Sequence, residues 1–145
     1  MAGWTLIATR WRDAWAAWRT PRSLGERGER RAERHLRRLG YRIVARRSRN
    51  RYGEHDLIAV EGRTVVFVEV KTRRRSDVGR PAEAVDRTRQ QRLVRAAAAF
   101  MKRRNLQGFP ARFDVIEVVW PADGLPRITH IRSAFRADGP FHFGR

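Results

Sequence analysis

Two carboxylates and a lysine stand at a spacing that a β-hairpin can gather. Asp56 and the triplet Glu69-Val70-Lys71 belong to a stretch, Gly53 to Lys71, that reads as two strands joined by a turn at Glu61-Gly62. Side chains alternate along a strand, so Glu69 and Lys71 share one face and Val70 takes the other. Antiparallel pairing would bring Asp56 to the same end. Hard divalent cations take oxygen ligands, often one or two carboxylates completed by water and substrate phosphate. Asp56 and Glu69, with the Val70 carbonyl nearby, form a candidate site for Mg²⁺ or Mn²⁺. Such an ion lowers the pKa of a bound water and clamps a scissile phosphate. Lys71 would orient that water or neutralise charge developing in the transition state.

The ordinary reading of such charges is a weak ion pair at a wet strand end. Two features argue against it. Val65, Val66, Phe67, Val68 and Val70 make the second strand apolar on both faces, so its charges are not ordinary surface groups. Lysine is also scarce: of 33 Lys plus Arg, only Lys71 and Lys102 are lysines. A lysine kept among so many arginines suits a role needing a compact, titratable amine, although Lys102 reads as plain helix surface. Without a cation the two carboxylates repel, and one pKa should rise.

The elements that must position this set follow in order. Ser23-Leu24-Gly25-Glu26 matches a capping box, and Leu24, Gly28, Ala32, Leu36 and Leu39 continue at helical spacing to Gly40. The small residues Gly25, Gly28 and Ala32 permit close approach to a sheet. Glu33 reads as a solvated charge pairing with Arg30, Arg34 or Arg37, whereas Glu29 can point back at the hairpin. Tyr41, Ile43 and Ala45 form a first strand, followed by a basic run from Arg46 to Arg51. Ser76 to Pro81 is a loop. Asp86 caps a helix from Arg87 to Arg104, whose inner stripe is Leu93, Ala97 and Phe100. Arg89, Arg92 and Arg95 face away from that stripe. Phe113–Trp120 and Ile128–Ile131 are two further strands, and Asp114 pairs with an arginine or supports the site. The helix after the third strand permits a parallel return, so the sheet is mixed.

The net charge is +18, with an isoelectric point near 11.9. A field of that sign favours a polyanion, nucleic acid first. Arg47, Arg49, Arg51, Arg73, Arg74, Arg75 and Arg89 are candidate phosphate contacts around the acidic hairpin. Cysteine is absent, which excludes disulfides and thiolate zinc sites. His35, His55, His130 and His142 lack ligand spacing and read as surface or core residues. No apolar run is long enough to span a bilayer and no signal peptide is evident, so the expected location is cytoplasmic. The chain divides into a Trp/Arg-rich extension at 1–22, a domain at 23–136 and a tail at 137–145. Trp11, Trp15 and Trp18 fall on one helical face in the extension. That face suits packing on the domain or, as a rarer use, an anionic membrane surface.

The pattern of Asp56 followed by Glu69-Val70-Lys71 on an apolar strand resembles the PD-(D/E)XK, restriction-endonuclease-like nucleases. Several further motifs are similar to the YraN-like family of bacteria. They are Gly25-x-x-Gly28-Glu29, Gly40-Tyr41, Gly53-Glu54-x-Asp56-Leu57-Ile58, Phe67-Val68-Glu69-Val70-Lys71-x-Arg73 and Arg112-Phe113-Asp114-Val115. The likeness runs from Leu24 to Ile131. It implies an α/β fold with a restriction-endonuclease-like αβββαβ core, close to archaeal Holliday-junction resolvases. It also implies Asp56 and Glu69 as metal ligands, Lys71 as the catalytic lysine and Glu29 as an additional helical carboxylate. Relative to that family, His55 replaces an Ile, Arg47 an Asn and Arg89 a Lys. The expected activity is Mg²⁺-dependent endonucleolytic cleavage of structured DNA, with a homodimer as the form suited to two-fold junctions. The rival is a non-catalytic nucleic-acid-binding module of the same fold, since a fold does not fix its chemistry.

Overall fold

The computed structural model describes residues 23–77 and 85–137. The tryptophan-rich extension, most of the loop expected at Ser76 to Pro81, and the tail beyond Ala137 lie outside the described residues. Among those described, the elements are α1 (Leu24–Arg38), β1 (Arg42–Asn50), β2 (Gly53–Glu61), β3 (Thr64–Arg74), a single 3₁₀ turn (Arg75–Asp77), α2 (Arg87–Arg103), β4 (Ala111–Trp120) and β5 (Arg127–Phe135). The five strands form one sheet in sequence order. Only β3 and β4 run parallel, joined through α2, and every other neighbouring pair is antiparallel. This mixed α/β arrangement is compatible with a restriction-endonuclease-like core.

Helix α1 starts where the capping box placed it. Ser23 is extended, and its side chain accepts from the Glu26 N–H at 3.2 Å. Ala32 and Leu36 are fully buried against Leu57, Ala59, Val66, Val68, Ile116 and Val118 on one face of the sheet. Gly28 allows that approach. A Cβ added there would lie 2.9 Å from both Cβ and Cγ2 of Thr72 on β3, and closer still to its Oγ1. Gly25 meets no such constraint. Leu39 does not extend the buried stripe as its spacing suggested. It is the C-terminal cap and is 55% exposed, because the chain turns out through Gly40 at φ +90°. Glu33 pairs with Arg37 as expected, but it is buried rather than solvated, and Arg46 of β1 holds it too.

Helix α2 covers the opposite face. Asp86 caps it by accepting from the Arg89 N–H at 2.8 Å. Val94, Ala97, Phe100 and Met101 pack with Ile58, Val65, Phe67 and Phe113. Phe67, Phe113 and Phe135 stack in a row across β3, β4 and β5, with centroids 5.6 and 4.8 Å apart. Residues 65–69 of β3 are all buried, as a strand sandwiched between two helical layers must be. Each large apolar side chain taken out of water there contributes roughly 1.5–3 kcal/mol.

The strands run further than their apolar patterns indicated. The basic run after Ala45 is the second half of β1, paired with β2 as far as Asn50 and Gly53. Strand β5 continues to Phe135 rather than ending at Ile131. Both are edge strands whose outer positions face water, so backbone pairing sets their length and apolar alternation does not.

A candidate metal and phosphate site

The hairpin is regular up to the point where its candidate site begins. The β2–β3 ladder runs from Glu61 and Thr64 to Leu57 and Val68, then stops. On the other side of β2, Arg47 lies across from Asp56, between the Arg46–Leu57 and Ser48–His55 pairs. Arg47 has φ +46°, a left-handed conformation that breaks the regular pleat. The alternation of β2 breaks there too. Leu57 belongs to the α1-side cluster, whereas His55, two residues earlier, packs on Phe67 at 4.7 Å on the α2 side. Asp56 therefore sits at a twist in the hairpin. Its Oδ2 accepts from the Val70 N–H at 2.8 Å, replacing the lost ladder partner.

That bond brings Asp56 against the strand that carries Glu69. Val70 packs with the α1-side cluster and Thr72 meets Gly28, so Glu69 and Lys71 project to the α2 side. The first turn of α2 supplies Arg89, whose Nε donates to Glu69 Oε1 at 3.0 Å and whose Nη2 reaches the same oxygen. Arg89 thus belongs to the acidic pocket, although its place outside the apolar stripe of α2 suggested that it faced elsewhere. Glu69 is only 7% exposed, and its second oxygen, Oε2, is buried with no hydrogen-bond partner among the described residues. Burial first, then the neighbouring Glu69 charge, pushes the Asp56 carboxyl up to about 7. The Val70 N–H and Arg89 pull it the other way without prevailing.

Glu29 comes close enough for its charge to raise the Asp56 pKa further. Its carboxylate is engaged by Arg47 at 3.0 Å, and Arg47 also lies 3.6 Å from Glu26. Among the described residues, no three His, Asp or Glu side chains gather into one ligand group. Among the described residues, the carboxylate oxygens that could meet a cation here are those of Asp56 and Glu69. They fit a hard divalent ion: both carboxylates are largely withdrawn from water, one oxygen is unpaired, and the pocket carries more negative charge than its burial favours.

The surrounding arginines divide into two groups. Arg47 and Arg73 are committed to carboxylates, Arg73 to Glu117 on β4. Arg49, Arg51, Arg89 and Arg92 line an open cleft of about 780 Å³ between the β1–β2 turn and the start of α2, together with Tyr52, Glu54 and Asp86, although Arg89 is also committed to Glu69 and Arg49 lies 4.0 Å from Glu54. The Arg51 guanidinium lies 4.7 Å from the Tyr52 ring centroid. Arg74 and Arg75 line a second cleft at the far end of β3. Charge composition pointed to all of these residues alike, and spacing could not say which would spend their charge internally.

Asp114 does not support this pocket. It is fully buried and bonded to Arg112 at 3.0 Å, to His130 Nε2 at 2.8 Å and to the Ser133 N–H at 3.0 Å. Arg112 extends the network to Tyr41 at 2.6 Å and Glu61 at 3.0 Å. His130 meets His35 at 3.1 Å. Neither histidine had a predicted role, and no spacing rule links residues 35, 114 and 130.

The model of an uncharacterised protein family, UPF0102, matches residues 28–118, a span that holds the whole hairpin, all of α2 and α1 from Gly28 onward. The chain belongs to the UPF0102 family. It is 48% identical over 116 residues to a UPF0102 protein of Symbiobacterium thermophilum, covering 80% of this chain and 98% of that one. A UPF0102 protein of Rhodopirellula baltica is 46% identical over 120 residues, covering 80% and 72%. A third, of Geobacter sulfurreducens, is 46% identical over 112 residues, covering 77% and 88%. This UPF0102 chain contains, among its described residues, no helix long and apolar enough to cross a membrane.

Proposed function

We propose that this protein is a divalent-metal-dependent endonuclease acting on structured DNA. The observation that carries the reading is the buried, unpartnered Oε2 of Glu69 beside the Asp56 carboxyl. A buried anionic oxygen without a partner costs free energy, and a cation offsets that cost. Asp56, Glu69 and the Val70 carbonyl would hold Mg²⁺ or Mn²⁺. Such an ion, when bound, supplies an acidified water and neutralises charge on the phosphodiester. Arg89 orients Glu69 and fixes which of its oxygens stays available. Lys71, on the same face, supplies a mobile positive charge near the phosphoryl oxygens. The cleft lined by Arg49, Arg51, Arg89 and Arg92 leads the sugar-phosphate backbone to the pocket.

A second reading is a nucleic-acid-binding module without chemistry. Two observations favour it: Arg89 already holds one Glu69 oxygen, and Arg47 keeps Glu29 from completing a three-acid set. A titration of Mg²⁺ and Mn²⁺ against labelled branched, flapped, single-stranded and duplex DNA separates the two. The nuclease reading expects metal-dependent nicking that disappears in Glu69→Ala and Lys71→Ala, with binding retained. Salt-sensitive binding with no cleavage under any metal supports the module. Cleavage at an undiminished rate in either variant refutes the assigned residues.

A further inference from the structure

A second basic cleft lies on the α1 side of the sheet, beyond the acidic pocket. Leu24 and Arg27 of α1, Arg74 and Arg75 at the end of β3, and Trp120 at the end of β4 line it, with a volume of about 780 Å³. The cleft sits at the carboxyl ends of the two parallel strands, a position at which open α/β sheets commonly bind ligands. Its charge is unbalanced among the described residues: Arg27, Arg74 and Arg75 line it, opposed by the carboxylate of Asp123. Arg74 and Arg75 are exposed, and none of the three arginines has a carboxylate partner among the described ion pairs. The Arg27 guanidinium stacks over the Trp120 ring at 4.2 Å. Stacking holds a guanidinium flat and leaves its N–H fork at the ring's edge for an acceptor. Trp120 is 8% exposed, and its Nε1–H finds no acceptor among the described residues.

We infer that this cleft is a phosphate-binding site, separate from the acidic pocket, that grips the backbone of the same polynucleotide away from the cut. Planar guanidinium forks match phosphate oxygens two at a time. The amino end of α1 adds partial positive charge on the same side. Strand β3 connects the two sites directly. From Glu69 to Arg74 it advances five residues, about 17 Å at the usual strand rise. That distance corresponds to about five nucleotide steps along a B-form strand. The site's preference for phosphate stands on its own residues, whereas its role as a second grip rests on the nuclease reading.

The test is binding in EDTA, where no cleavage occurs, so a failed nuclease reading leaves the readout intact. In the full-length protein, the Trp120 indole N–H resonance is assigned by its loss in Trp120→Phe and followed by ¹⁵N NMR. Inorganic phosphate and DNA oligonucleotides of 4 to 16 nucleotides are the probes. We expect the resonance to move with both, and at far lower phosphate concentration once the oligonucleotide exceeds about eight nucleotides. Arg74→Ala/Arg75→Ala, which alters exposed side chains only, should weaken oligonucleotide binding at least about tenfold and flatten the salt slope by about 1.4–1.8 units. Movement with inorganic phosphate alone overturns the second-grip role. An unmoved resonance, or a double variant with wild-type affinity and salt slope, overturns the site.

Discussion

Asp114 and the Asp56–Glu69 pocket both bury carboxylates in one sheet, and they treat them in opposite ways. Burial pushes both aspartates toward the neutral form. At Asp114, bonds from His130, Arg112 and the Ser133 N–H more than offset it, and the pKa ends below the ordinary carboxylate value. At Asp56, burial and the Glu69 charge win, and the pKa ends at about 7. Glu69 keeps an oxygen that nothing satisfies, whereas both Asp114 oxygens are engaged. A satisfied buried network fixes structure, and a half-satisfied one next to open solvent is where a ligand's charge belongs. The difference marks one region as architecture and is the basis for proposing a ligand site at the other.

The largest expected effect separates them by stability. Asp114→Ala leaves Arg112 and His130 facing a cavity without their anion, and should cost about 3–5 kcal/mol. Glu69→Ala frees only Arg89, more than half exposed, and removes an unfavourable buried charge. It should leave stability unchanged or raised while abolishing cleavage. Urea denaturation of both variants checks this. Equal losses would mean that the pocket is as structural as the Asp114 network.

Sequence made one of these regions legible and hid the other. The meeting of Asp56 and Glu69 was readable because a hairpin converts spacing directly into proximity. The two strands are consecutive, and alternation fixes the faces. The α1 cap and the Gly28 approach were readable for the same reason, since both are local. The Asp114 network joins α1, β4 and β5 through Arg112, His130 and His35, and such meetings depend on register that no periodicity encodes. The bond from Arg89 to Glu69 was hidden because helical spacing reports only which face packs on the core. It does not report which long side chain bends back from the first turn to a neighbouring strand. The arginine run of β1 was hidden by its own charge: pairing with Glu26, Glu29 and Glu33 on α1 makes a strand of residues that read as solvated.

The next effect concerns pH. The folded pKa of Asp56 is raised above its unfolded value of 3.8, to about 7. The native state therefore binds the proton more tightly, and its stabilising contribution is complete below about pH 4. It falls as pH rises through the window up to about 7 and is flat above. Between pH 5 and 8 that loss amounts to about 2–3 kcal/mol. Asp56→Asn keeps an oxygen for the Val70 N–H and loses the titration. Its stability relative to wild type should grow across that range, when both are followed by urea midpoint in EDTA. A parallel pair of pH profiles would show that Asp56 titrates normally. Asp114→Asn should show no gain at alkaline pH, because its carboxylate is already favoured.

The smallest effect is the one that tests the ion proposed for the pocket. A ligand that binds only the folded state stabilises it by about 1.4 kcal/mol at ten times its dissociation constant. For a domain of this size that is a rise of a few degrees in the melting temperature. Mg²⁺ or Mn²⁺ should produce it, and EDTA should reverse it. The rise should shrink as pH falls below about 7, because the cation then competes with the proton held by Asp56. Glu69→Gln should abolish it by removing the charge that the ion neutralises. Arg89→Ala should enlarge it, because Oε1 of Glu69 becomes available as well as Oε2. A structurally weakened variant such as Asp114→Asn should melt lower and still gain the same few degrees from the metal. If it loses the metal response while Glu69→Gln keeps it, the roles assigned to the two buried carboxylate sites are reversed.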